Sequence, residues 1–105
     1  MDTIFNTAVI VGFEWNKGNL EHIRKHKVLY TECEEVFLNK PLVILFDEEH
    51  SGEENRYKIF GISAKNRQLS LAITIRNNQI RIITARDQSK KERIAFKEAT
   101  KYEKT

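Results

Sequence analysis

The chain has one cysteine, Cys33, in 105 residues. A single thiol excludes an internal disulfide and cannot build a thiolate metal site. No apolar run approaches the roughly 20 residues needed to cross a bilayer, so neither a membrane span nor a membrane partner is expected. The opening stretch Met1-Asp2-Thr3-Ile4-Phe5-Asn6-Thr7 has no basic leader and no long apolar core. It does not read as a secretory signal, and the cytoplasm is the expected compartment. Gly-rich phosphate loops, nucleophile elbows and metalloprotease helices are missing too, as are repeats, linkers and low-complexity tracts. An enzyme of this composition has Arg, Lys, His and Glu to work with, and no metal or cofactor is expected.

What the chain does have is charge, unevenly spread. The length fits one domain, 1–105, with one core. Its 40% hydrophobic and 31% charged content is that of a globular protein. Net charge is only +3, but residues 32–54 hold eight acids against the single base Lys40. Residues 55–76 then carry five bases and no acid, and residues 81–105 carry eight bases against four acids. Ordinary solvated surfaces show such polarity, and so do surfaces that meet a charged partner.

Patterning predicts the order β-α-α-β-β-β-β-α. A first strand covers Val9 to Trp15, and Asn16 or Asn19 caps a helix running to about Lys27, with Leu20 and Ile23 on its buried side. Thr31 followed by Glu34 reads as a capping box for a short helix in which Cys33, Val36 and Phe37 share a face. Pro41 ends it, and Leu42–Phe46 is a strand. An acidic loop, Asp47 to Glu54, precedes three strands over Arg56–Ser63, Gln68–Arg76 and Gln79–Ala85. Asn77-Asn78 tolerates positive φ and predicts a tight hairpin. Ser89 with Glu92 opens a closing helix carrying Ile94, Ala95, Ala99 and Tyr102. The expected class is α+β: a small antiparallel sheet of about four to five strands, two N-terminal helices and one C-terminal helix.

Arg81 and Arg86 sit in a β-branched strand that aliphatic packing alone does not require to be cationic. With Arg56 they are the best candidates to hold an anion, because a guanidinium is always charged and presents a planar fork of donors. Side chains alternate across a strand, so Arg81 and Arg86 should point to opposite faces unless the strand finishes near Ala85 and lets Arg86 swing round. Lys25 and His26, at a helix end, suit a phosphate contact and a proton transfer. His22 and His26 are four apart, but no third ligand has matching spacing for a metal. His50, among carboxylates, is a candidate acid as well as a loop-ordering group. Trp15 and Tyr57 are able to stack on bases or to serve as core. Lys90 and Lys91 add basic charge at the start of the last helix.

Taken in order, these blocks resemble the BrnT-type toxins of type II toxin–antitoxin systems. The series is Phe13-Glu14-Trp15, Asn16-Lys17-Gly18-Asn19-Leu20-Glu21, Arg24-Lys25-His26, Glu34-Glu35-Val36-Phe37, Asp47-Glu48-Glu49-His50-Ser51, Glu53-Glu54, Arg56-Tyr57, Gly61-Ile62-Ser63, Ile80 to Arg86 and Glu92-Arg93. Lys27 stands where the family usually has glycine, Asn55 interrupts its E-E-R triplet, and Thr84 replaces the serine of its I-S-A-R. The resemblance implies a RelE-like fold and metal-independent endoribonuclease activity that slows translation. It implies neutralisation by a BrnA-type antitoxin in a 2:2 heterotetramer, with DNA met only through that antitoxin. It further implies that Arg81 and Arg86 grip the phosphate, with His50 or Glu54 moving the proton. Lys25, His26, Arg56, Trp15, Lys90 and Lys91 would contact RNA. An inactive relative that pairs with an antitoxin or nucleic acid to regulate its operon is the alternative.

Overall fold

A computed structural model describes residues 10–101. The elements run β1 (Gly12–Glu14), α1 (Lys17–Arg24), α2 (Tyr30–Leu38), β2 (Val43–Phe46), β3 (Arg56–Ile62), β4 (Gln68–Arg76), β5 (Gln79–Asp87) and α3 (Lys90–Thr100). The element order is the expected one, and the class is α+β. Strand order in the single sheet is β1-β5-β4-β3-β2. β2 to β5 form the expected antiparallel meander, but β1 lies parallel to β5, so the sheet is mixed. Val9 and Tyr102 lie outside the described residues.

The core sits between one face of this sheet and α1 and α2. Ile59, Leu69, Leu71, Ile73, Ile82 and Ala85 from the strands are fully buried against Ile23, Cys33 and Val36 from the helices. The alternation in β4 explains this: Leu69, Leu71, Ile73 and Ile75 face the helices, and Ser70, Ala72, Thr74 and Arg76 face the other way. Gly61 lets α2 approach, since a Cβ there would meet Val36 Cγ1 at 2.5 Å. The β4–β5 turn has φ of 52° at Asn77 and 61° at Asn78, the left-handed pair that a tight hairpin requires.

Local signals succeeded where their partners are local. Asn16 caps α1 and exchanges hydrogen bonds with Asn19. Lys27 ends that turn at φ 58°, with Val28 N–H donating to the Ile23 carbonyl and Lys27 N–H to that of Arg24. This is the left-handed position after a helix that glycine occupies most cheaply. Two expectations need correction. The second helix starts one residue before Thr31: Leu29 is its cap, and Glu32 rather than Glu34 accepts from the Leu29 N–H. In α3 the buried residues are Phe96 and Thr100, while Ile94, Ala95 and Ala99 are exposed. That helix crosses from the end of β5 to lie against β2, so its inward face is set by tertiary placement.

Candidate nucleic-acid site on the open sheet face

The sheet face away from α1 and α2 is polar and cationic. Its register forms rungs across the strands. Arg81 pairs with Thr74, and Thr74 with Arg56. The next rung is Thr84, Ala72 and Lys58, and the third is Arg86, Ser70 and Phe60.

Arg81 and Arg86 share this face, although strict alternation forbids it. The reason is a β-bulge. Ile82 pairs with Ile73 but Thr84 pairs with Ala72, so Ile83 is an extra residue opposite no partner. One inserted residue flips the facing of everything after it. The strand does not stop at Ala85, as the sequence suggested, but runs to Asp87 with its parity reset.

Two adjoining clefts lie along the rungs. The first, about 190 Å³, is bounded by Gly18, Asn19 and His22 of α1, by Arg56, Thr74, Arg76 and Arg81 of the sheet, and by Glu54. The second, about 300 Å³, is lined by Arg86, Lys58, Thr84, His50 and Asp47. Arg56 and Ile83 line both, which makes the clefts continuous. His50, Glu54, Arg56 and Arg76 also surround a shallower opening on the loop side. Arg81 and Arg86 stand two rungs apart, roughly 13 Å along the backbone at the usual strand rise, in separate clefts.

Each cation is held differently. Arg81 Nη1 donates to Glu14 Oε2 at 3.2 Å. Arg86 makes a two-pronged pair with Glu92 at 2.7 and 2.8 Å, and its Nη1 also reaches the Asp87 carbonyl. That guanidinium and the Ser89 N–H hold the Glu92 carboxyl down at about 2. Neither arginine is sealed: the Arg81 side chain is 24% exposed and that of Arg86 42%. The Arg56 guanidinium makes no hydrogen bond or ion pair among the described residues. Glu54 is gripped by Arg76 through both carboxylate oxygens, and this pairing holds it below the usual carboxylate range. It is therefore ionised at neutral pH, a proton acceptor and not a donor.

His50 is oriented by its own loop. Its Nδ1 lies 2.9 Å from Asp47 Oδ2, which favours the tautomer with the proton on Nδ1 and leaves Nε2 free. Ser51 stiffens the loop by donating to the Asp47 carbonyl and accepting from the Arg56 N–H. Burial pushes the Cys33 thiol up to about 12, so it stays protonated and inert. Among the described residues no three His, Cys, Asp or Glu side chains gather to hold a metal ion. No helix there is long and apolar enough to cross a membrane.

Of the residues singled out from the sequence, Arg56, Arg81, Arg86, His50 and Glu54 come together here. The others do not. Trp15 donates its indole N–H to Glu34 Oε2 at 2.8 Å and stands edge-on to Tyr30, on the α2 side. Lys25 and His26 are exposed at the far end of α1, where the His26 carbonyl accepts from Arg67. Lys90 lines a separate groove with Pro41 and Phe96, and Lys91 is exposed outside both clefts. His22, Lys58, Thr74 and Arg76 belong to the clefts and were not among the site residues expected from the sequence. The alternation of β3 and β4 was the available signal for the last three, since it puts them on the face of Arg56.

No curated protein matches the chain. Residues 15–92 match the family model described as the ribonuclease toxin, BrnT, of type II toxin-antitoxin system. That span contains every residue bounding the two clefts, from Gly18 to Arg86. A match over most of the chain, centred on a cationic sheet face, leads to one conclusion: the chain belongs to the BrnT family of type II toxin–antitoxin ribonuclease toxins.

Proposed function

We propose that this toxin is a metal-independent endoribonuclease whose open sheet face holds single-stranded RNA and whose activity slows translation. The observation that carries the reading is the bulge at Ile83, which turns Arg81 and Arg86 to one face alongside Arg56. In this chemistry the 2′-hydroxyl attacks its own neighbouring phosphate. The protein must supply cations for the charged phosphorane, a base for the hydroxyl and an acid for the departing 5′-oxygen. Arg81 and Arg56, flanking Thr74 on one rung, hold the reacting phosphate. Arg86 and Lys58, in the adjoining cleft, hold its neighbour, because the separation of the clefts suits two phosphates better than one. Glu54, ionised beside Arg76, takes the 2′-hydroxyl proton. His50, anchored through Asp47, offers Nε2 to the backbone from the same loop.

The cognate partner on this reading is a BrnA-type antitoxin, forming a 2:2 assembly in the cytoplasm and touching operator DNA through the antitoxin. The decisive experiment incubates purified chain with labelled RNA in EDTA. Defined cleavage is expected, with Arg81→Ala and Arg86→Ala each losing at least about 100-fold while keeping the native circular dichroism. In cells, growth arrest should vanish in both variants and be relieved by the antitoxin in the unmodified toxin. Two fully toxic variants would move the site elsewhere. RNA retained but never cut would favour an inactive binding module.

A further inference from the structure

Glu54 and His50, the two groups expected from the sequence to move protons, both come from the loop between β2 and β3. An in-line displacement needs its base and its acid on opposite sides of the phosphorus. The wall facing that loop is built by α1, which packs against β5. β5 and β3 are separated by β4, so the two walls stand about 10 Å apart at normal strand spacing. The titratable side chain on the α1 wall is His22.

His22 is also unusual in being unclaimed. It is exposed, and its ring makes no hydrogen bond or ion pair among the described residues. Its backbone, by contrast, is firmly set. Asn16 and Asn19 cap the helix reciprocally, Asn19 Nδ2 donates to the Glu14 carbonyl at 2.9 Å, and neighbouring Ile23 is 1% exposed. An imidazole with both nitrogens free, on a rigid helix, over a cleft floored by Arg81, Thr74 and Arg56, is placed to meet a ligand rather than to hold the fold.

We infer that His22 is a catalytic residue of this cleft, the acid that protonates the 5′-oxygen as it leaves. The inference rests on the ribonuclease reading and adds to it the missing half of the proton transfer. Glu54 accepts the 2′-hydroxyl proton, the 2′-oxygen forms a bond to phosphorus, and the bond from phosphorus to the 5′-oxygen breaks. The imidazolium N–H proton passes to that oxygen. The products are a 2′,3′-cyclic phosphate and a 5′-hydroxyl, leaving neutral His22 and protonated Glu54 to exchange with water. No co-reactant is required.

The test compares an RNA oligonucleotide carrying a mapped cleavage site with the same oligonucleotide bearing sulfur in place of the bridging 5′-oxygen. A thiolate leaves without being protonated, so it bypasses a missing acid. His22→Ala and His22→Gln should each slow cleavage of ordinary RNA at least about 100-fold in kcat, with KM changed less than about threefold. Both variants should cut the sulfur-bridged substrate at close to the unmodified rate. Equal losses on both substrates, or no loss on either, would overturn the role of His22. An Arg81→Ala control inactive on both confirms that the cleft itself was being assayed. If the unmodified chain cuts neither substrate, the ribonuclease reading fails and His22 falls with it.

Discussion

Arg67 and the arginines of the open face have opposite fates. Arg67 spends all of a guanidinium's donors on the protein: Nε and Nη2 on Asp87, Nη1 on Glu32 and the Lys27 carbonyl, and Nη2 again on the His26 carbonyl. It ties the β3–β4 turn to the end of β5, the turn after α1 and the first turn of α2. Arg86 makes three such bonds, Arg81 one and Arg56 none among the described residues. A guanidinium saturated by its own chain holds a fold together. One that keeps free donors over a cleft remains available to a phosphate.

The comparison is sharpest at Arg56, where function and stability should separate most. Arg56→Ala should reduce RNA cleavage on the order of 100-fold, because a preorganised cation at the phosphorane is worth roughly 3 kcal/mol. Its melting temperature should stay within about 2 °C of the unmodified chain, since no hydrogen bond or close ion pair is lost and only a solvent-screened charge interaction with Glu54 goes. Cleavage assays beside a thermal melt decide it. A large drop in melting temperature would mean that Arg56 belongs with Arg67.

Arg67→Ala should do the converse. It leaves the largely shielded Glu32 carboxylate and the Lys27 and His26 carbonyls without their donor, while the exposed Asp87 returns to water. The cost should be about 2–3 kcal/mol, a fall of roughly 10–15 °C in melting temperature. Cleavage per folded molecule, measured well below the melt, should be unchanged. Loss of activity in a folded Arg67→Ala protein would erase the distinction between the two kinds of arginine.

How far the sequence discloses this division depends on where each cause lies. The strand at Gln68–Arg76 and the Asn77-Asn78 turn were legible because alternation and left-handed tolerance are properties of adjacent residues. The bulge was not, because a residue is extra only relative to a partner strand, and Ile83 looks like any β-branched neighbour. His22 was weighed only as a metal ligand beside His26, for the same kind of reason. Within α1 the more basic group is Arg24-Lys25-His26, and only the packing of α1 on β5 shows that the earlier turn faces the cleft. Trp15 carried a double meaning that Glu34 and Tyr30, far along the chain, resolve toward packing. Fold class and the principal cations were therefore readable, and the parity that makes a site of them was not.

Glu92 connects the two regions, and it yields the smallest effect. One of its oxygens receives the Ser89 N–H at the start of α3, as a structural cap does, while both receive the Arg86 guanidinium. Its folded value of about 2 lies below the ordinary 4.5, so its ionised form favours the folded state. That contribution is complete above the ordinary value and disappears as pH falls through the folded one. Glu92→Gln removes the charge at every pH. The melting-temperature gap between the two proteins should therefore be constant above about pH 5, at about 1–2 kcal/mol or roughly 5–10 °C once solvent screening of the half-exposed Arg86 is allowed for. It should then close between pH 4.5 and about 2. A gap that persists undiminished at the acid end would show that Glu92 acts through neutral hydrogen bonds alone. The ion pair would then contribute nothing to the fold, and Arg86 would stand with Arg56 rather than between it and Arg67.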